Sequence, residues 1–539
     1  MPDPGIALGY DRRVSVDRAS ATDVRRAEVV AALSLATDLA MAEPLESGLR
    51  ICRIALQLAE EAGLDEGERD RVFYVALLRH VGCTAEVHSF SAVVGDDLAF
   101  HTGASTVDAT SPRAMAAFTL RHLVRTNGLL GAAARLAQIA AHRDQFQEGV
   151  RAVCEVAEQL GAQLGLSEDV QHDLALATER WDGKSFLERA RGEGVPAPVR
   201  VVQVAECAAV YHELGGADAA RSVLKARAGG AFDPRLVEVF AANAATLLAP
   251  DEQLWDAVVA AAPRSDRALA GDDLDAALDA VAGFVDLKSL FTVGHSAAVS
   301  RLAEAAGERA GLPASDIASL RRSGLLHDLG MVGVSSPIWE KPGPLTTDEW
   351  ERVRLHPYHG ERTVARSPGL SVLGEIAALH HERCDRSGYH RGLDARSLPP
   401  IARLLAAADA YQAMSERRPY RDALAPDQAA EELRRDVRAG RLDGDAVQCV
   451  LAAAGQRPRR RREHVAGLTT RELDVIRLLA RGLSTKQIAA ELVITPKTAD
   501  SHIQHVYAKI GVSTRAAATV FAMRHGLVEA GRSSGELPM

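Results

Sequence analysis

The sequence predicts an all-α protein built from two related helical bundles and a small carboxy-terminal helix-turn-helix unit. Ala and Leu recur throughout the 539 residues, aromatic residues make up only 4%, and runs of strand-forming residues are scarce. At about 150 residues per domain, this length allows three or four domains. The net charge of −9 argues against a globally basic protein that coats nucleic acid, so any basic surface is expected to be local.

An internal repeat defines the first two domains. Residues 48–83 match residues 296–331 at a constant offset of 248 residues, and later segments from Glu179 and Val199 match segments from Glu382 and Ala402. The predicted organisation is a flexible tail at 1–22, a first domain at 23–262, a second at 266–455, an Arg-rich linker at 456–465 and a helix-turn-helix at 466–530.

The sequence also predicts the compartment. Its six cysteines include no C-x-x-C pair, the amino terminus lacks the basic and then apolar run of a signal peptide, and no stretch of about 18 apolar residues occurs. We therefore expect a soluble cytoplasmic protein with no membrane partner.

Histidines and carboxylates recur along the second domain, on or beside predicted helices at Asp316–Gly330 (with Ser315 as N-cap), Ser371–Glu382 and Ile401–Met414. Intervals of 32, 29, 24 and 28 residues separate the candidate metal ligands, which are His295, His327, Asp328, His356, His380, His381 and Asp409. A chain that runs up and down a bundle returns to one level after such intervals, so these side chains can converge. Five imidazoles and two carboxylates suit two divalent transition-metal ions. A single helix histidine is more often a core or surface group, so the spacing alone leaves a structural interpretation open.

The order of these segments carries a resemblance. The strings HS at His295, HDLG, HPYHG, HHERCDRSGYHRGL and RLLAAADAYQAMSERRPYR resemble the HD-GYP family of metal-dependent cyclic di-GMP phosphodiesterases over about 190 residues. The resemblance implies one metal held by His295, His327, Asp328 and Asp409, a second held by His356, His380 and His381, and a bridging Asp. From the donor types we expect Fe or Mn first, with Zn or Co as alternatives. The resemblance implies in-line attack of activated water on a phosphodiester. It further implies that Tyr389, Arg418 and Arg421 bind the substrate.

Four positions depart from the family pattern. Met331 replaces a phosphate-facing Lys, His390 replaces the loop Pro, and Phe291 and Gln412 replace acids. Two functions therefore stay open for this domain: an enzyme that cleaves cyclic di-GMP or a related nucleotide, or a weak or inactive sensor whose bound ligand controls DNA binding.

The first domain has lost the ligand pattern. Replacements at its matching positions are Ser47, Arg79, His80, Ala177 and Thr178, and only Glu206, opposite Asp409, keeps an acid. Arg79 and one isolated carboxylate cannot hold a metal, so a degenerate scaffold is expected.

The carboxy-terminal segment reads as a helix-turn-helix. Thr469 or Thr470 ahead of Glu472 predicts one helix start, Ser484 caps a short helix, and Pro496 opens a helix that runs to Ile510. The segment 465–531 carries eight Lys or Arg and five Asp or Glu, a local charge of +3. It resembles the LuxR-type DNA-binding domain over about 60 residues.

The face of the Pro496 helix predicts how DNA is contacted. Base-reading residues are expected to be Lys497, Ser501, Gln504 and His505, with Thr498 on the same polar side, and phosphate contacts are expected from Lys486, Thr495 and Lys509. A protein-interaction module is the alternative. Because one such unit binds a half-site weakly, a homodimer on double-stranded DNA is expected, joined by the Ala-rich repeat helices.

Overall fold

The computed structural model describes residues 24–86, 91, 94–104, 107, 112–141, 143–455 and 465–528. The tail at 1–22, most of the linker at 456–465 and residues 529–530 lie outside them. Helices dominate the described residues, and their strands are β1 (Val24–Arg25) and β2 (Ala268–Leu269), which confirms the all-α prediction. Within the described residues, no helix is both long and apolar enough to cross a lipid bilayer.

The described chain folds as two compact units, of which the first comprises residues 25–269 and 335–337. Its α-helices are α1 (Arg26–Ala40), α2 (Ser47–Glu61), α3 (Glu66–Leu78), α4 (Asp97–Ala104), α5 (Pro112–Ala141), α6 (Arg143–Gln163), α7 (Glu168–Ala175), α8 (Ala197–Arg227), α9 (Pro234–Leu247) and α10 (Leu254–Ala260). Short 3₁₀ helices occur at Val81–Glu86 and Gly192–Gly194. Phe73, Leu58 and Phe240 are among the fully buried side chains of its core.

The second unit contains the second repeat and comprises, among the described residues, Val24, 270–334, 338–455 and 465–528. Its helices are α11 (Gly271–Asp286), α12 (His295–Arg309), α13 (Ala314–Leu326), α14 (Ser336–Trp339, whose first two residues are assigned to the first unit), α15 (Thr347–Arg354), α16 (His356–Val364), α17 (Pro368–Ala377), α18 (Pro400–Met414), α19 (Pro426–Arg438) and α20 (Gly444–Ala454), with a 3₁₀ helix at Leu329–Gly333. Leu320, Leu404, Leu433 and Val450 lie in one apolar core between them.

The same unit ends in the helix-turn-helix. After a 3₁₀ turn at Val465–Gly467 come α21 (Thr470–Ala480), α22 (Thr485–Glu491), α23 (Pro496–Ile510) and α24 (Arg515–Arg524). Thr469, Ser484 and Thr495 cap the first three, each accepting a hydrogen bond from a backbone amide of the first turn. The helix starts predicted at Thr469, Ser484 and Pro496 are therefore confirmed.

Two helix predictions in the second repeat were wrong at their ends. The helix expected at Asp316–Gly330 begins at Ala314, with Pro313 rather than Ser315 as its N-cap, and ends at Leu326. The chain then tightens into the 3₁₀ helix, where a Cβ on Gly330 would lie 1.9 Å from the carbonyl oxygen of His356. This close backbone approach brings the HDLG segment against α16.

The helix expected at Ser371–Glu382 lies earlier in the chain. Ser367 caps α17 by accepting from the Leu370 amide, Pro368 occupies its first turn, and the helix ends at Ala377. His380 and His381 therefore stand in the turn that follows the helix, where backbone geometry rather than helical periodicity sets their directions.

Candidate metal centre and nucleic-acid interface

The seven predicted ligands come together in the second unit. They form two groups in which one donor atom per residue lies within 4.8 Å of the others; the groups are Asp328, His356, His380 and His381, and His295, His327 and Asp409. Six of the seven side chains are buried, and His381 is partly exposed. The loops and helix ends of one bundle level thus deliver the arrangement that the spacing predicts.

Two carboxylates face both histidine groups. Oδ2 of Asp328 lies 3.2 Å from Nε2 of His327, while its Oδ1 lies 3.3 Å from Nε2 of His356 and 3.5 Å from Nε2 of His380. Asp409 directs Oδ1 to Nε2 of His295 at 3.3 Å and Oδ2 to Nδ1 of His381 at 3.8 Å. Both carboxylates can therefore contact cations held by either group.

Backbone carbonyls orient three of the imidazoles. Nδ1 of His327, His356 and His380 lies 2.9, 2.6 and 2.7 Å from the carbonyl oxygen three residues earlier. A protonated Nδ1 donates to that oxygen, which leaves the unprotonated Nε2 facing the cluster, as a metal ligand requires. The turns that end the helices thus fix both the direction and the tautomer of these histidines.

Glu416, which sequence reasoning missed, orients His295. Its Oε2 lies 2.8 Å from Nδ1 of His295 and 3.0 Å from Nη2 of Arg418, and Gln412 donates to its Oε1 at 2.8 Å. Glu416 is only 4% exposed. Glu416 contacts His295, which lies 121 positions earlier at the start of another helix. The spacing of residues along one segment therefore does not identify it.

The charges of the cluster suit cations. Burial opposes ionisation of Asp328, but His327, His356 and His380 hold its pKa well below its usual range. Burial also opposes charge on His295, yet Glu416 and Asp409 raise its pKa well above the usual value. The Nε2 atom of His327 is buried and, although it lies 3.2 Å from Oδ2 of Asp328, makes no hydrogen bond of good geometry. Ionised carboxylates and inward imidazole nitrogens fit divalent transition metals.

The helix-turn-helix presents an exposed polar face on α23. Ala499, Ile503 and Val506 are buried against α21 and α22. The opposite side of the helix exposes Thr498 and all four residues expected to read bases, which are Lys497, Ser501, Gln504 and His505. The period of the helix therefore separates core from exposed face as the sequence predicts.

Two family models match the regions that contain the histidine cluster and the helix-turn-helix. Residues 280–446 match the family model of the HD domain, and residues 466–522 match that of bacterial regulatory proteins of the luxR family. The chain carries an HD domain and a luxR-type DNA-binding domain.

Relatives with named activities match this chain over different lengths. The chain is 29% identical to 3'3'-cGAMP-specific phosphodiesterase 3 of Vibrio cholerae over 75% of this chain and 89% of that protein. It is 35% identical to a cyclic di-GMP phosphodiesterase of Thermotoga maritima over 28% of this chain and 41% of that one. The crystal structure of a V. cholerae cyclic GMP-AMP specific phosphodiesterase matches with a TM-score of 0.56 and 25% identity over 81% of this chain and 99% of that one.

Predicted substrate residues border the HD-domain cluster, but the two arginines are engaged by protein groups. The Tyr389 ring lies 4.7 Å from the His381 ring. Arg418 donates to the Phe291 carbonyl at 3.2 Å as well as to Glu416, and Arg421 donates to backbone carbonyls including that of Ala413. Their phosphate-binding role stays a prediction.

Two of the three residues predicted to contact phosphate, Lys509 and Thr495, form hydrogen bonds within the luxR-type domain. The third, Lys486, is exposed. Lys509 donates to Oε2 of Glu472 at 2.7 Å and to the Gly467 carbonyl at 3.3 Å. Thr495 accepts from the Thr498 amide as the N-cap of α23.

The amino-terminal unit holds a different cluster at the corresponding level. Nε of Arg79 lies 3.2 Å from Glu206 and its Nη2 lies 3.3 Å from Glu43, while Nε2 of His80 lies 3.0 Å from Glu206. The expectation of one isolated carboxylate was wrong, because the loop before α2 brings Glu43 into the cluster, and one donor atom each of Glu43, His80 and Glu206 lies within 4.8 Å of the others. At the other replaced positions, Ser47 donates to the Pro44 carbonyl and Thr178 lies 3.7 Å from the Cys154 sulfur.

Proposed function

We propose that the HD domain is a metal-dependent phosphodiesterase for a cyclic dinucleotide, either cyclic di-GMP or 3'3'-cGAMP, in a cytoplasmic transcription regulator. The proposal keeps the domain division at 23–262, 266–455 and 466–530, with the first domain as a metal-free scaffold. The observation that carries it is the convergence of the seven predicted ligands into two groups that share Asp328 and Asp409. Two relatives act on these two substrates, by their names.

The metal ligands in this proposal are His295, His327, Asp328, His356, His380, His381 and Asp409. Two divalent ions, Fe or Mn first and Zn or Co as alternatives, would supply charge neutralisation at phosphorus and lower the pKa of attacking water. Glu416 and the three backbone carbonyls hold the imidazoles in their ligating tautomer. Tyr389, Arg418 and Arg421 border the cluster and would orient the nucleotide.

The decisive experiment compares matched substitutions in the two repeats. Asp328→Ala is expected to abolish metal binding and hydrolysis, whereas His80→Ala, at the corresponding position of the first repeat, leaves both unchanged. Elemental analysis of purified protein and product analysis with cyclic di-GMP and 3'3'-cGAMP measure the two properties. If wild type takes up no metal after anaerobic loading with Fe or Mn, the enzyme proposal is wrong.

A second candidate function, ligand sensing without turnover, is favoured by three residues. Met331, in place of a phosphate-facing Lys, is buried, and Arg418 and Arg421 already donate to protein groups. Fewer cations are then available to stabilise the transition state than in the family pattern. Binding of either dinucleotide to metal-loaded protein without product formation would establish this alternative.

We propose that the protein is a homodimer and that the luxR-type domain of each copy contacts double-stranded DNA through α23. Gln504→Ala is expected to weaken cognate binding by roughly 1–3 kcal/mol and binding to random DNA little, because a base-edge contact distinguishes sequences. Lys486→Ala should weaken both about equally, since a phosphate contact does not distinguish bases. If Gln504→Ala, like Lys486→Ala, weakens binding to cognate and to random DNA by the same factor, a protein-interaction module is favoured. A protein that sediments as a monomer in the presence of DNA would exclude the dimer.

A further inference from the structure

The HD domain and the luxR-type domain share an apolar contact within the second unit. The HD side is the segment Leu287–Gly294 between α11 and α12, which we call the docking segment. Val293, at its end, is 9% exposed and belongs to the same apolar core as Val475, Ile476 and Val528 of the luxR-type domain. The core of the DNA-binding domain thus includes a side chain of the HD domain.

Two further contacts extend this interface. A Cβ on Gly482, in the turn between α21 and α22, would lie 3.1 Å from Cδ1 of Leu290. A Cβ on Gly294 would lie 3.6 Å from Cγ1 of Val528. Both glycines have left-handed backbones, with φ of +81° and +80°, so a side chain at either position would be strained.

Helix α24 is buried on more than one side. Ala518 and Ala522 face the core of the luxR-type domain, while Ala516, Thr519 and Val520 are also at most 5% exposed. Helix α11 of the HD domain packs against α24. Small side chains at these positions allow the two helices to approach closely.

The docking segment ends at the first metal ligand. His295 follows Gly294 directly and opens α12. The segment is also held from the metal site, because Arg418 donates to the Phe291 carbonyl while its other amino group binds Glu416, the carboxylate that orients His295. One short segment therefore contacts both the ligand-orienting network and the DNA-binding domain.

We propose that the docking segment couples occupancy of the metal site to the DNA affinity of the luxR-type domain. This inference rests on the proposed function and names how that site is read out. A cation bound by His295, or an anion that takes the Arg418 guanidinium from the Phe291 carbonyl, changes the forces on the docking segment at one end. Because Leu290 and Val293 are packed on the luxR-type domain, the change is transmitted to α21 and α24. Thermodynamic linkage then requires DNA to change metal affinity by the same factor.

The test measures DNA affinity of the full chain with and without Mn²⁺ at fixed ionic strength. In wild type we expect Mn²⁺ to change the dissociation constant by about fivefold or more, the lower end of typical allosteric coupling. Leu290→Ser and Val528→Ala, which alter the contact from its two sides, should each reduce this factor while hydrolysis is retained. Leu302→Ser, at a partly buried position that packs against the HD-domain core, is the matched control. It should leave the effect of Mn²⁺ on the dissociation constant unchanged.

A second readout follows the interface itself. Mn²⁺ should change amide hydrogen exchange in residues 287–294 and 515–524 of wild type but not of Asp328→Ala. In both readouts this variant separates binding at the metal site from Mn²⁺ acting on DNA or elsewhere on the protein. Equal factors in wild type, Leu290→Ser and Val528→Ala, or no effect of Mn²⁺ on a wild type that hydrolyses substrate and binds DNA, would overturn the coupling and leave the proposed function intact. Wild type that neither binds metal nor hydrolyses substrate would overturn both.

Discussion

The two repeats use one local scaffold and compensate the carboxylates of their clusters differently. In each, a residue with a left-handed backbone, Glu46 or Gly294, precedes the helix that starts the repeat. In each repeat the second helix ends just before two matching positions, which are Arg79 and His80 in the first repeat and His327 and Asp328 in the second. A 3₁₀ turn then follows. What differs is the source of positive charge: the first repeat contains the permanent guanidinium of Arg79, and the second contains imidazoles arranged to share cations.

The difference shows how carboxylates at matching positions are compensated by a fixed cation in one repeat and by imidazoles in the other. Burial alone lowers the pKa of Arg79, but Glu206, Glu43 and Asp38 outweigh it and raise that pKa. Burial likewise opposes charge on Glu206, yet His80 and Arg79 lower its pKa to about 2. A fixed cation therefore compensates the carboxylates at all ordinary pH values. The following predictions test this comparison, beginning with the largest effect.

Replacing Arg79 by Met should destabilise the first unit by about 3 kcal/mol, the lower end for a broken buried ion pair, because the lost guanidinium is buried whereas Glu43 and Glu206 are partly exposed. Urea unfolding followed by hydrogen exchange in residues 47–86 measures the loss. Arg50→Met, which removes an ion pair between Arg50 and Glu213 at the surface, is the control and should cost less than about 1 kcal/mol. Similar losses from both would contradict the idea that Arg79 replaces a metal.

Metal should stabilise only the second repeat. Binding at a concentration of 100 times the dissociation constant adds about 2.7 kcal/mol to the unfolding free energy of the state that binds. Exchange-protected amides of α12 and α18 should therefore gain protection with Mn²⁺, whereas those of α2 and α8 should not. Equal protection of both repeats would indicate that the Glu43 cluster also binds metal.

Glu416→Gln should lower metal affinity by about 10–100-fold, the usual effect of losing a group that orients a ligating histidine. The amide can still accept from Nδ1 of His295 but carries no charge to support its basicity. Its counterpart in the repeat, Glu213, binds surface Arg50, so Glu213→Gln should leave metal affinity unchanged. Titration with Mn²⁺ measures both, and rescue of hydrolysis of Glu416→Gln by excess metal separates positioning from misfolding.

The last prediction concerns the pH dependence of a buried acid that both repeats retain. Asp38 accepts from the Gly48 amide as Asp286 accepts from the Ser296 amide, and burial raises the pKa of Asp38 to about 8. The folded state keeps a proton that the unfolded chain releases above about pH 4, so this group lowers the stability of the first unit as pH rises from about 4 to 8. Asp38→Asn should flatten that slope, as measured by urea midpoints at pH 5 and pH 8. An unchanged slope would show that Asp38 is ionised when buried.

The sequence by itself determined the helical class, the seven residues that cluster in the HD domain and the exposed face of α23. Ligands at intervals of one hairpin must return to one level of a bundle, and the period of a helix places Ala499 and Ile503 opposite Gln504. It did not locate the helix ends before His327 and His380, because turns set by a close approach such as Gly330 to His356 depend on neighbours distant in sequence.

Only the tertiary structure decided which carboxylates complete each cluster and what the DNA-binding domain packs against. Glu416 reaches His295 across 121 positions, and Glu43 reaches Arg79 across 36. Val293, one apolar residue among many, is buried in the core of a domain that starts more than 170 residues later. Local patterns specify which side of a segment is buried, whereas the partner that covers it is fixed by how several segments pack at once.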